Sequence, residues 1–416
     1  MQDINLHCLG ASQEVGRSAF LLETDRRLLL DYGIKIFGKD GHAEYPISIP
    51  AKLDAAIISH AHMDHIGFVP NLYNFSNVRW FATPPSKDLA EMLWKDSIKI
   101  MGAELPFSFS QVKKALKYWN PLLYGQQLSM GETQVRALDA GHISGSAMIE
   151  LIYGKKKIVY TGDYKMEETM MHKGAKPVQD ADVVMIDSTY ALKEHPERKK
   201  VERELMDEIE ETISEGGTVL MPAFSLGRTQ ELIALIRTYN DEIPVFVDGM
   251  GKDITDVYIR HGKYMKDVST FRNMVQEVNM VRSPYDKKRA TKDPAVIVTS
   301  AGMMEGGPVL GYLMNVNSDS KVIMTGYNVQ GTNGWKLRNE GYVTINGQDL
   351  EVDLPVQYFD LSAHAGRSEV LNFIKHANPE KIVIVHSDAA PAFERELKED
   401  FGYDAVAPKV GDVIKL

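Results

Sequence analysis

The run Ser59-His60-Ala61-His62-Met63-Asp64-His65 constrains this chain more than any other stretch. Three imidazoles and a carboxylate fall within six positions, directly after the apolar run Ala55-Ala56-Ile57-Ile58. That order reads as a strand entering a loop and continuing into Ile66-Gly67. Nitrogen and oxygen donors crowded at a strand end suit zinc or a similar divalent ion. A fold gains nothing from three such histidines beside an aspartate, and protonated imidazoles held that close repel one another. His60 and His62 alternate, so an extended backbone points them to one side. Asp64 and His65 lie past the turn and can serve a second ion. One loop then feeds two metals, typically about 3.5–4 Å apart, and such a pair needs further ligands, above all a shared carboxylate.

The rest of the chain supplies candidates. Val135-Arg136-Ala137-Leu138-Asp139-Ala140-Gly141-His142 is a strand ending in glycine and histidine. Ile158-Val159-Tyr160-Thr161-Gly162-Asp163 ends in glycine and aspartate, and Ile382-Val383-Ile384-Val385-His386 ends in histidine. Strand ends are where layered α/β proteins place their sites. A lone strand-end histidine is more often a hydrogen-bonded loop residue. Together with the first run, these donors complete two coordination spheres.

The pattern His60-x-His62-x-Asp64-His65, then His142, Asp163 and His386, resembles the metallo-β-lactamase superfamily. Upstream, Leu28-Leu29-Leu30-Asp31-Tyr32-Gly33 is similar to its first motif, an aspartate that supports the metal loop. Ile186-Asp187-Ser188-Thr189-Tyr190 resembles motif A of the β-CASP nucleases, Phe359-Asp360-Leu361-Ser362-Ala363-His364 motif B, and Val385-His386 motif C. A histidine at motif C marks the RNA-directed members, where DNA-directed ones usually carry valine. Gly10-Ala11-Ser12-Gln13-Glu14-Val15-Gly16-Arg17-Ser18 and Thr325-Gly326-Tyr327-Asn328-Val329-Gln330-Gly331-Thr332 point to the group of the cleavage and polyadenylation specificity factor nuclease subunit. Within it, the chain is similar to compact archaeal homologues without KH domains. Two departures stand out. Ala191 follows motif A where glycine is usual, and Ser387-Asp388 replaces Gly-Glu after His386. Neither removes a ligand; both bear on rate and cleavage mode.

The resemblance implies two zinc ions per chain. His60, His62 and His142 hold one, Asp64, His65 and His386 the other, and Asp163 bridges. It implies hydrolysis of single-stranded RNA, with His364 giving a proton to the leaving oxygen and Asp187 hydrogen-bonding His364. A phosphate-binding role for His364 is the alternative. Internal cutting in RNA 3′-end processing or decay is the expectation. A 5′-to-3′ exoribonuclease of the ribonuclease J type is the alternative, with loops near Ser225, Ser300 and Ser362 forming a 5′-phosphate pocket. A non-RNA metallo-hydrolase would not need the inserted domain or motifs A and B. A non-catalytic RNA binder would have lost ligands, and none is missing. A homodimer is a further family expectation.

For 416 residues, roughly 150 per domain gives two or three domains. Hydrophobic content of 44% and charged content of 25% fit a soluble globular chain. No apolar run nears the ~20 residues of a membrane span. The opening residues 1–6 enter a strand without the basic start and apolar core of a signal peptide. Cys8 is the only cysteine, so no internal disulfide forms, and a cytoplasmic location is expected. A net charge of −10 does not advertise nucleic-acid binding. Lys155-Lys156-Lys157, Arg198-Lys199-Lys200 and Lys287-Lys288-Arg289 are local exceptions, each readable as solvated surface; the third is the best RNA candidate.

Alternating apolar strands fill residues 4–31, an amphipathic helix spans 85–101, and short strands return over 126–163. The charged segment 193–200 interrupts the pattern. Strand–turn–helix units follow: Thr218–Met221 leading through Ser225-Leu226-Gly227-Arg228 to a helix near Thr229, then Val245–Val247 and Ala295–Thr299. These indicate a mainly parallel sheet. The expected fold is therefore α/β, a metallo-β-lactamase αββα sandwich over 1–195 and 357–416. An inserted β-CASP domain covers 196–356, and the active site is expected between the two. Ser225 and Arg228 precede a helix whose N–H groups suit a phosphate, although an ordinary turn fits as well. Ser300-Ala301-Gly302-Met303-Met304-Glu305-Gly306-Gly307-Pro308 reads on its own as a tight loop with core methionines, whereas the resemblance implies a loop that an RNA backbone can approach closely. Gly38-Lys39-Asp40-Gly41 has the spacing of a KH loop but no room for the domain, and reads as a turn.

Overall fold

The computed structural model describes residues 4–38, 41–49 and 52–416; Lys39 and Asp40 of the GxxG stretch lie outside them. The chain divides into two compact units. Met1–Glu168, His172–Glu194 and Ala363–Leu416 form the first, Thr169–Met171 and His195–Ser362 the second.

Two sheets build the first unit. One runs, in spatial order, Val413–Lys415, Asn5–Gly10, Ala19–Glu23, Arg27–Leu30, Ala55–Ile57, Arg79–Ala82 and Trp119–Pro121. The other runs Ala405–Val406, Lys381–Val385, Val183–Asp187, Lys156–Tyr160, Ala147–Tyr153, Thr133–Asp139 and Gln127–Met130. The period of two explains the layers. Leu28 and Leu30 join Phe20, Ile149, Ile158 and Met185 between the sheets. Leu29, between them in sequence, packs outward with Trp80, Ala90 and Trp94 beneath the helix Pro84–Met101. On the far side, Val184, Ile382 and Ile384 meet Val370, Phe373 and Phe393 of the helices Arg367–Ala377 and Ala390–Glu399. Each such large side chain stabilises the fold by roughly 1.5–3 kcal/mol on burial. The result is the expected helix–sheet–sheet–helix sandwich.

The second unit holds a parallel sheet in the order Asn279–Met280, Val245–Asp248, Val296–Thr299, Val219–Pro222, Lys321–Met324, Val356–Tyr358. Its three strands Val219–Pro222, Val245–Asp248 and Val296–Thr299 are buried at every residue, as a sheet covered on both faces requires. The helix Arg228–Tyr239 is buried along nearly its whole length. Opposite it, Val309, Tyr312 and Leu337 pack on Leu220, Ile297 and Val322.

The charged segment 193–200 is not all interruption: the helix Arg198–Ser214 takes its first turn from it. Arg198 is buried rather than solvated: its Nε donates to Glu202 Oε1 at 2.9 Å, and it pairs with Glu231. Its neighbours Lys199 and Lys200 are exposed. No helix among the described residues is long and apolar enough to cross a membrane.

Candidate metal centre

The donors come from strand ends of the first unit. Ile58 to His62 follow Ala55–Ile57, and Met63–Ile66 forms one helical turn that carries Asp64 and His65. His142 follows Thr133–Asp139, Asp163 follows Lys156–Tyr160, and His386 follows Lys381–Val385. Gly162 precedes Asp163 with φ +51°, and a side chain there would meet Ser59 Cβ at 2.7 Å. Glycine is what lets the two ligand loops touch.

Three groupings form. One donor atom each from His60, His62, His142 and Asp163 lie within 4.8 Å of one another. So do donors of Asp64, His65 and His386, and of Asp163, Asp187, His364 and His386. Asp163 faces both sides: Oδ2 is 3.5 Å from His60 Nε2 and 3.7 Å from His142 Nε2, whereas Oδ1 is 3.2 Å from His65 Nε2 and 3.4 Å from His386 Nδ1. Asp64 Oδ2 is 3.2 Å from His386 Nε2. Asp163 Oδ1 is buried and makes no well-formed hydrogen bond. A buried carboxylate oxygen without a hydrogen bond, ringed by imidazole nitrogens, fits a divalent cation.

Surrounding groups fix which nitrogen each histidine presents. Asp31 accepts four hydrogen bonds: Ser59 N–H at 2.6 Å, Ser59 Oγ at 2.7 Å, Tyr160 Oη at 2.6 Å and His65 Nδ1 at 2.7 Å. Ser59 Oγ gives its proton to Asp31 and therefore accepts from His60 Nδ1 at 3.0 Å. His142 Nδ1 donates to the Ala363 carbonyl at 2.8 Å. In all three, Nε2 keeps the lone pair and points to the cluster, the arrangement that orients histidine ligands. Asp31 and His386 hold left-handed backbone, φ 56° each, conformations that non-glycine residues take at a cost.

Burial, and then His65, hold His60 well below its ordinary range; burial, and then His364, do the same to His142. Burial is the largest single influence on His65 and His386 too and opposes their charge, but the surrounding carboxylates together outweigh it: Asp163, Asp64 and Asp31 raise His65 strongly, and Asp163, Asp187 and Asp64 raise His386 to about 10. His364 is half-buried, with Nδ1 3.0 Å from Asp187 Oδ2 and 3.9 Å from Asp163 Oδ2. Against the lowering effect of burial, Asp163 and Asp187 raise it.

Several contributors carry no chemical signature in the sequence. Ser59 and Tyr160 serve Asp31, and Thr189 Oγ1 lies 3.1 Å from His386 Nδ1. Lys165, almost fully buried, donates to Glu369 Oε2 at 2.6 Å. Glu369 also accepts from Met166, Glu167 and Gly366 N–H, tying the Asp163 loop to the His364 loop.

This constellation on this sandwich has relatives. A metallo-beta-lactamase superfamily domain model matches residues 21–185, a Beta-Casp domain model 229–337, and a model of the Zn-dependent metallo-hydrolase RNA specificity domain 349–408. The chain is 35% identical to "Probable RNase MJ4" of Methanocaldococcus jannaschii, over 98% of this chain and 99% of that one. The chain belongs to the metallo-β-lactamase superfamily, in its β-CASP branch. It is also 34% identical to "RNase aCSPSF2" of Saccharolobus solfataricus, over 99% of this chain and 85% of that one. A crystal structure of a protein of unknown function from Enterococcus faecalis V583 shares the fold, with TM-score 0.64, 13% identity and full coverage of both chains.

The remaining sequence candidates of this β-CASP chain, Ser225, Arg228, Ser300 and Ser362, lie in the second unit. The loop before Arg228 uses its own donors. Gly227 N–H goes to Gln230 Oε1 at 2.9 Å, and Thr229 N–H to the Phe224 carbonyl at 3.1 Å. Those two are thus not spare for a phosphate. Arg228 Nε is buried without a hydrogen-bond partner, and burial, then Arg198, lower its pKa to about 10. Ser225 and Ser300 are half-buried, and Ser362 N–H donates to Asp360 Oδ1 at 3.1 Å. Of the basic clusters, Lys156 pairs with Glu380, and Arg289 bonds Asn279 Oδ1 at 2.5 Å.

Proposed function

We propose that this chain is a two-zinc ribonuclease that hydrolyses phosphodiester bonds within single-stranded RNA. The observation that carries the reading is one carboxylate, Asp163, facing two donor sets through its two oxygens, with His364 beside it and held by Asp187. His60, His62 and His142 would hold one ion, Asp64, His65 and His386 the other, with Asp163 shared. Zinc so bound lowers the pKa of water to about 7 and neutralises charge at phosphoryl oxygens. RNA as the substrate rests on the RNA-specificity domain match and on the ribonuclease names of the relatives.

The protein's own share of the chemistry is orientation and proton supply. Asp31 and the Ala363 carbonyl hold three histidines with Nε2 inward. Asp187 holds His364 by Nδ1, and against the effect of burial Asp163 and Asp187 together favour its protonated form. His364 then supplies the proton that the departing ribose oxygen needs, a role typically worth about 10²–10⁴-fold. Water, not the ribose 2′-hydroxyl, is the nucleophile, so products carry a 3′-hydroxyl and a 5′-phosphate. A cytoplasmic homodimer belongs to the same reading.

Metal analysis combined with cleavage of labelled single-stranded RNA, against DNA of the same sequence, tests it. Close to two zinc ions per chain, RNA-selective cutting and early mid-length fragments are expected. Products ending in 2′,3′-cyclic phosphate would sink the water mechanism. Mononucleotides appearing first, and only from 5′-monophosphorylated ends, would replace internal cutting by 5′-to-3′ digestion.

A further inference from the structure

The second unit carries a feature that the metal chemistry does not use. Its central strand Val219–Pro222 has Val296–Thr299 on one side and Lys321–Met324 on the other, all parallel. The chain leaves the central strand, builds Val245–Asp248, Asn279–Met280 and Val296–Thr299 on one side, then crosses to the other. Such a reversal is where open parallel sheets bind ligands, at the carboxyl ends of the strands. Phe224 stands there, two residues beyond the central strand, and is 38% exposed.

Loops from both neighbouring strands bring glycine to this ring. Gly302 follows Val296–Thr299, and a Cβ on it would lie 3.2 Å from Phe224 Cγ and 2.8 Å from Phe224 N. Gly326 follows Lys321–Met324, and a Cβ there would lie 3.3 Å from Phe224 Cε2. Backbone thus braces the ring where any side chain would crowd it. The backbone beneath is fixed as well. Ala223 N–H donates to the Thr299 carbonyl at 2.9 Å, and the Phe224 carbonyl accepts from Thr229 N–H at 3.1 Å and Thr229 Oγ1 at 2.9 Å. The Gly326 loop also bears Tyr327, 59% exposed. In the same loop, Thr325 Oγ1 and Asn328 Oδ1 are buried without hydrogen-bond partners. A rigid, braced and exposed aromatic ring at a strand switch point is poor use of an apolar side chain unless something flat covers it. Aromatic rings stack on nucleobases of any sequence, and a ring fixed in advance loses little entropy in doing so.

We propose that Phe224 is a stacking platform for one base of a single-stranded RNA, in a pocket built by the Phe224, Gly302 and Gly326 loops. The proposal rests on the ribonuclease reading and adds a grip on the base that the metal donors do not supply. Its sequence tolerance follows from stacking, since every base has a π-face.

The test uses the full-length, zinc-loaded protein and a labelled single-stranded RNA, with affinity read by fluorescence anisotropy and cleavage at saturating RNA. Phe224→Ala and Phe224→Leu should each weaken binding roughly 5- to 150-fold. Phe224→Trp should bind as well as wild type or better. Zinc content should match wild type, and the melting temperature should stay within a few degrees of it, in all three. RNA with a single abasic site, scanned along the strand, should bind wild type weakly at one position and lose that contrast in Phe224→Ala. Gly326→Val, which pushes a branched side chain against the ring, should mimic Phe224→Ala. Wild-type affinity in Phe224→Leu would mean bulk rather than stacking and would overturn the proposal. So would unchanged binding in Phe224→Ala while the wild type still cuts RNA, and that result would leave the ribonuclease reading intact. A wild type that neither binds nor cuts RNA would bring down both.

Discussion

The two halves of the donor cluster are built from the same residue type, yet their surroundings push the histidine pKa values in opposite directions. His60 and His142 are buried among imidazoles, and burial holds both well below their ordinary pKa. His65 and His386 are as buried, but carboxylates face them, and both are raised. The difference lies in carboxylates, not in burial. Asp64 sits 3.2 Å from His386 and 3.8 Å from His65, and has no counterpart beside His60 or His142 except the shared Asp163. One half therefore offers neutral nitrogen lone pairs; the other mixes nitrogen with hard oxygen. What joins them is Asp163, whose two oxygens divide between the halves.

Breaking that joint should have the largest effect. Asp163→Asn keeps the size of the side chain but removes its charge. Most of both zinc ions should be lost and RNA cleavage should fall below detection, as read by metal analysis of the purified variant and a gel assay. Full occupancy in Asp163→Asn would show that the halves are independent sites.

The next variant leaves both halves alone. His364→Ala should keep two zinc ions and near-wild-type RNA affinity while slowing cleavage about 10²–10⁴-fold. A nitrophenyl phosphodiester, whose leaving group needs no proton, should be hydrolysed almost as fast by the variant as by wild type. An equal loss on both substrates would make His364 a positioning group for phosphate.

How much of this was legible in the sequence follows the same division between chemistry and support. His60, His62, Asp64 and His65 stand out because donors crowd in a few positions, and strand-end His142, Asp163 and His386 because apolar runs announce the strands. The β-CASP motifs made Asp187 and His364 visible. Ser59, Tyr160 and Thr189 were invisible as partners, since a serine, a tyrosine and a threonine are common in any strand or loop. Only folding brings Tyr160 Oη to Asp31, and Thr189 to His386. Short edge strands were missed for the same reason. Val413–Lys415 pairs with Asn5–Gly10 across the whole length of the chain, and its own exposed, alternating residues give no strong signal. In the second unit the buried parallel strands were readable as apolar runs, but Phe224 was not, because an aromatic residue in sequence does not say that its ring is exposed.

Asp31 reaches both halves at once, directly through His65 Nδ1 and through Ser59 Oγ to His60. Asp31→Asn would set an amide N–H₂ against at least one existing donor, because all four bonds to Asp31 are donated to it. Supporting carboxylates of this kind are worth about 10–100-fold in metal affinity. Zinc competition with a chelator should show that loss in both halves, with cleavage recovering at high zinc.

Tyr160→Phe should have the smallest effect, and it separates support of the ligands from the ligands themselves. The change removes the hydroxyl that donates to Asp31 Oδ2 at 2.6 Å and leaves the ring, which meets Phe20 edge-on at a centroid distance of 5.7 Å. Asp31 keeps three donors, so no buried charge is stranded, and no new polar group is introduced. A hydrogen bond to a charged group contributes about 1.5–3 kcal/mol, so the melting temperature should fall. Zinc affinity should drop by less than about tenfold, below the Asp31→Asn loss. His65 should lose more than His60, because Ser59 continues to hold His60 through its own bond to Asp31. Measuring the two zinc dissociation steps separately in Tyr160→Phe decides it. Unequal weakening would show that the two halves are supported differently as well as built differently, whereas equal weakening would mean that Asp31 acts on the cluster as a single rigid unit.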